Sequence, residues 1–78
     1  MNEDLRNFVG DLITLLQEKY NLSLEEFDED EDETDAAYNQ GLCFAYFDAL
    51  ALIRSQLLAF GYDPNEFKSI EPVLGKPV

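Results

Sequence analysis

The chain has no histidine and no tryptophan, a single cysteine, and five basic residues against seventeen acidic ones. Each shortage closes a route. Without histidine and with one cysteine, neither a Cys/His zinc site nor an internal disulfide can be built. With so few Lys and Arg and a net charge of −12, free nucleic acid and anionic membranes are poor ligands, because affinity for phosphate comes mainly from basic side chains. Cys43 lies between Leu42 and Phe44 with no cation beside it in sequence, which is the setting of a small buried hydrophobe and not of a reactive thiolate. No nucleophile–base pair can be assembled, so no catalytic residue, no enzymatic activity and no cofactor are expected. Met1 is followed by Asn-Glu-Asp, not by a basic segment and an apolar run, and a cytoplasmic protein is the expectation.

What is present is apolar and helical in pattern. Of the 78 residues 46% are hydrophobic and ten are Phe or Tyr, too many for a disordered acidic chain. Residues 1–78 are expected to form one all-α domain. It is a small helical bundle of two long antiparallel helices with short helical segments. The size is near the limit at which a monomer buries enough surface to fold, which favours oligomerisation.

The first helix is expected over 3–20, capped by Asn2, with Glu3 and Asp4 complementing the positive end of its dipole. Leu5, Phe8, Val9, Leu12, Ile13, Leu16 and Tyr20 follow the pattern of one buried apolar stripe, and Asn21 is placed to end the helix. Residues 22–35 read as an acidic connection, with one helical turn started by the Ser23/Glu26 capping-box spacing and the run from Asp28 to Glu33 exposed and mobile. The second helix is expected over 35–60, ended by Gly61. A short third helix, 64–68, is signalled by Asp63 and Pro64, with Phe67 and Ile70 folding back on the main helix. Residues 69–78 read as an extended tail.

The second helix is apolar over most of its circumference, with one narrow wet stripe at Gln40/Gly41, Asp48 and Ser55. Such a helix is covered on more than one side, and the shorter first helix cannot cover it alone. Polar interruptions at Asn39, Gln40, Asp48 and Arg54 argue against a transmembrane span. Gly41, Ala45 and Ala49 are spaced four apart, where another backbone could approach closely. With the aromatic Phe44 and Phe47 they make the expected helix–helix and dimer interface.

Nine of the seventeen acidic residues fall between Glu25 and Asp35, six of them consecutive. Asp28, Asp30 and Asp32 have the 1, 3, 5 spacing of an EF-hand loop. Glu33, however, stands where that loop needs Gly, and Asn39 where it needs a bidentate Glu, so no metal site is expected. A run of this kind needs either solvent or a basic partner. Glu25, Glu26, Asp28, Glu29, Asp30, Glu31, Asp32 and Glu33 are the expected partner-binding residues, replacing phosphates in contacts with Arg and Lys. The partner class is a basic protein such as a nuclease or nucleic-acid-binding complex, with no direct binding of nucleic acid or membrane. A merely solubilising loop, with a partner docked on the apolar second helix of an accessory subunit, is the alternative.

In its short length, strong acidity and helical pattern the chain resembles the small inhibitors of phages and mobile elements, of the anti-CRISPR and anti-restriction kind. It also resembles bacteriocin immunity proteins, acidic helical bundles that cap basic nuclease toxins. The resemblance implies a small helical inhibitor and assigns no individual residue.

Overall fold

The structure, a computed structural model, describes residues 1–67 and 73–78. Asn2 starts the first helix, its Oδ1 accepting from the Leu5 amide at 2.8 Å. Helix α1 spans Glu3–Glu29, α2 spans Glu33–Ala59, and a 3-10 turn spans Pro64–Phe67. The chain is all-α, with no strand among the described residues.

The main correction to the sequence reading is the length of α1, which does not stop at Tyr20. Asn21 does not cap, because its side-chain amide is committed to the backbone of Val78: Nδ2 donates to the carbonyl at 2.8 Å and Oδ1 accepts from the amide at 2.7 Å. Ser23 does not start a new turn either. It is buried, and its hydroxyl donates to the Tyr20 carbonyl at 2.9 Å, a bond made inside a continuing helix. Leu24 and Phe27 then extend the apolar stripe, both half-buried. The acidic connection expected over 22–35 shrinks to Asp30, Glu31 and Asp32.

Both helices therefore have 27 residues, about 40 Å each at 1.5 Å per residue, and α1 spans the whole of α2. Helix α2 ends as the glycine signal predicts. Gly61 has φ +82°, its amide bonds the Leu58 carbonyl at 3.0 Å, and the Tyr62 amide bonds the Leu57 carbonyl at 2.8 Å. This is a Schellman motif.

The core is a pair of matched seams. Val9, Ile13, Leu16, Tyr20 and Ser23 on α1 face Asn39, Cys43, Tyr46, Leu50, Ile53 and Leu57 on α2, alternating steps of three and four as in a coiled coil. Leu5, Phe8 and Leu12, expected in the buried stripe of α1, are instead exposed, because they lie about 100° round the helix from the seam that meets α2. Ile13, Tyr20 and Leu50 are at most 1% exposed.

The hairpin has two broad faces. On one, Phe67 of the 3-10 turn lies over Gly10, where an added Cβ would sit 3.7 Å from its ring, and Arg6 pairs with Glu66 at 2.6 Å on the surface. The tail docks on the same face. Tyr20 Oη donates to the Val73 carbonyl at 2.9 Å and accepts from the Gly75 amide at 3.1 Å. Residues 73–76 form a turn with Gly75 at φ +88°, so this part of the expected extended tail is folded. Lys68, the last residue of the expected 64–68 helix, Ile70, expected to fold back on the main helix, and the start of the tail lie outside the described residues. On the opposite face, the bare face, no described residue forms a layer over the two helices.

Candidate protein-binding surfaces

The acidic run folds into the tip of the hairpin. Glu25 and Glu26 sit on the second-last turn of α1, Asp28 and Glu29 on its last turn, and Glu33 opens α2. Two of the eight expected partner-binding carboxylates are already committed inside the chain. Asp30 accepts from Asn39 Nδ2 at 2.7 Å. Asp32 caps α2, its Oδ1 accepting from the amides of Thr34 at 2.7 Å and Asp35 at 3.3 Å. Glu25, Glu26, Asp28, Glu29, Glu31 and Glu33 are exposed and free to face outward.

The tip is electrostatically uneven. Acids at the start of α2 complement its dipole, whereas Asp28 and Glu29 crowd the negative end of α1, whose last turn has no basic residue. A cation arriving from outside would relieve that end. Among the described residues no group of three His, Cys, Asp or Glu is placed to hold a metal ion.

Glu3, Asp4, Asp11 and Glu18 are expected from the sequence to extend the negative face along the first helix, and because α1 is continuous that charge joins the tip. Asp4, Asp11, Glu18 and Glu25 recur every seven residues and are all exposed. At 1.5 Å per residue they form a row of carboxylates about 10.5 Å apart along the outer side of α1. The charge of Asp4, Asp11 and Glu18 was legible in the sequence; its join to Glu25 was not, since a helix ending at Tyr20 would have broken the row.

The expected interface residues separate. Gly41 and Ala45 are exposed and Ala49 is half-buried, and a Cβ at Gly41 would meet nothing within 4 Å. The small residues thus make no close contact with α1. Phe44 and Phe47 lie on the other side of α2. Phe44 lines a groove of the tail face with Leu24, Gln40 and Leu74, and Phe47 packs against the core. The five residues cannot form one surface, because one step along a helix is a rotation of about 100°.

The bare face does carry a surface. A shallow apolar groove is lined by Val9 and Leu12 of α1 and by Leu52, Gln56 and Phe60 of α2. Cys43, a free thiol, is buried elsewhere, donating to Ser23 Oγ at 3.4 Å. By length and composition α2 is also apolar enough to cross a membrane.

Compared with known proteins, the chain matches no family model, no curated protein and no solved structure. A functional reading has to come from these two surfaces, the acidic edge and the bare apolar face.

Proposed function

We propose that the protein is a non-catalytic acidic binding protein of the cytoplasm that occupies the positive surface of a basic, nucleic-acid-handling protein and so inhibits or neutralises it. This is the role that the resemblance to anti-CRISPR and anti-restriction inhibitors and to nuclease immunity proteins implies. The observation that carries the reading is the helix-borne display of carboxylates, a row from Asp4 to Glu25 leading into the exposed acids of the tip. A solubilising charge needs no register. A surface that replaces phosphates on Arg and Lys benefits from one, because carboxylates fixed by a helix lose little freedom on binding. The summed field also speeds encounter with a positive groove.

The test is capture from lysate on wild-type protein with elution in salt steps, followed by the variant Glu25→Lys/Glu29→Lys/Glu31→Lys. These three positions are exposed and make none of the hydrogen bonds that hold the tip. A basic nuclease or nucleic-acid-binding complex leaving at modest salt, and lost on charge reversal while helicity is unchanged, is the expected result. A partner held through high salt and indifferent to the reversal would refute the mimic. It would move the weight to an accessory subunit docked through apolar surface.

A further inference from the structure

We infer that the bare face of the hairpin is a self-association surface, on which two copies stack with their acidic tips at opposite ends to form a four-helix bundle. Each helix carries two apolar seams side by side. On α1 the inner seam of Val9, Ile13, Leu16 and Tyr20 is shadowed one residue earlier by Phe8, Leu12, Leu15 and Lys19. Leu5 and Leu22 extend that second seam with the same three-and-four rhythm. On α2 the inner seam is shadowed in the same way by Tyr38, Leu42, Ala45, Ala49 and Leu52.

For antiparallel helices, the same one-residue offset turns both second seams to the same side. The groove shared by Leu12, Leu52 and Phe60 shows that side to be the one opposite the tail. A helix with two adjacent seams is built for two neighbours, and one chain supplies only one. The exposure is large for an idle surface: Phe8 is 65% exposed, Tyr38 67%, Leu52 63% and Phe60 75%.

Area and charge both point to a second copy as the occupant. Two helices side by side, each about 40 Å long and about 10 Å wide, present a face of roughly 800 Å², on the scale of the ~800 Å² per partner of a standard stable interface. The acids that give the chain its charge flank the two second seams without interrupting them. Lys19 is the only charged residue in the second seam of α1 between Leu5 and Leu22, and that of α2 has none between Tyr38 and Leu52. The face is therefore self-complementary despite the net charge.

The tips set the orientation. Stacked at one end they would bring together two clusters of nine carboxylates. At opposite ends they stand about 40 Å apart, several times the ~8 Å screening length at physiological salt. In that orientation α2 crosses its own copy antiparallel, and Ala45, near mid-helix, meets Ala45 with no bulk between the backbones. A bilayer is the poorer occupant. Asp4, in angular line with Leu22, and Asp11, Glu18 and Asp48 beside the seams border the face, and the net charge opposes anionic lipid.

Sedimentation equilibrium from micromolar to millimolar protein tests the proposal, alongside co-sedimentation with phosphatidylcholine vesicles. The expected mass is twice the 8.9 kDa of the chain, falling to one chain in Leu52→Glu with helical circular dichroism retained. Should Leu52→Glu unfold, Ala45→Glu, at an exposed position, serves in its place. In a Cys43→Ala background, Ala45→Cys should oxidise to a covalent dimer. The Glu25→Lys/Glu29→Lys/Glu31→Lys variant should stay dimeric whatever it does to partner capture. A wild-type chain that is folded and monomeric throughout, a dimer indifferent to both face variants, or a monomer recovered with the vesicles would each overturn the inference.

Discussion

Asn21→Ala gives a result whose sign discriminates between readings. Asn in a helix interior is roughly 0.6 kcal/mol less favourable than Ala, so an Asn serving no purpose in α1 would be improved by the change. Here its amide makes both backbone bonds to Val78, at 2.8 and 2.7 Å. Each such bond contributes about 1 kcal/mol net. Loss of two outweighs the propensity gain and leaves a destabilisation of roughly 1.4 kcal/mol, or about 6–10 °C in Tm for a chain of this size. Asn7→Ala is the control, since Asn7 is exposed on the same helix and should stabilise by roughly 0.6 kcal/mol. Urea and thermal unfolding followed by far-ultraviolet circular dichroism, at one fixed protein concentration, measure both. Amide exchange adds a local readout, with Gly75 and Val78 losing protection first. If Asn21→Ala raised stability as Asn7→Ala does, the tail clamp would contribute nothing and the account of why α1 continues past Tyr20 would fail.

Two further changes probe the cap and the core. Asp32→Ala removes the side chain that accepts from Thr34 and Asp35 and should cost about 1 kcal/mol in chemical denaturation; Glu31→Ala, one residue away and exposed, should change nothing measurable, and equal effects would mean that the run acts only through its charge. Leu50→Ala, at 0% exposure, should cost about 2–5 kcal/mol. That is a large share of the ~4–12 kcal/mol expected for 78 residues, so a near-wild-type urea midpoint would contradict the two-seam core.

Much of the fold was legible because helix signals are local. Asn2, Gly61, Asp63 and Pro64 each do in the structure what their chemistry suggests. The end of α1 was not legible, since what decides it is a partner far along the chain. Asn21 carries the same weak stop signal whether or not Val78 is there to occupy its amide, and Ser23–Glu26 has capping-box spacing whether or not the hydroxyl turns back to Tyr20. The candidate site suffered accordingly. Taken as a loop, the acidic run had no shape, and Asp30 and Asp32 could not be told from their neighbours. One clue was available: Asn39 falls in register with Cys43, Tyr46 and Leu50, and a polar residue on a core seam calls for a partner.

That partner explains a division within the core. Toward the open end the seam is apolar, with Ile13, Leu50 and Leu57. Toward the tip it becomes polar, with Asn39 bonded to Asp30 and Cys43 bonded to Ser23, which in turn bonds the Tyr20 carbonyl. Apolar heptads alone would let two equal helices slide past each other by seven residues at little cost. A slide of that size would part Asn39 from Asp30 and Cys43 from Ser23 together, leaving buried polar groups without partners at about 1–3 kcal/mol each. The tight turn and the polar end of the core thus fix the same register. The extent of the bare face depends on it, since a hairpin slipped by seven residues would leave a heptad of each second seam without its neighbour.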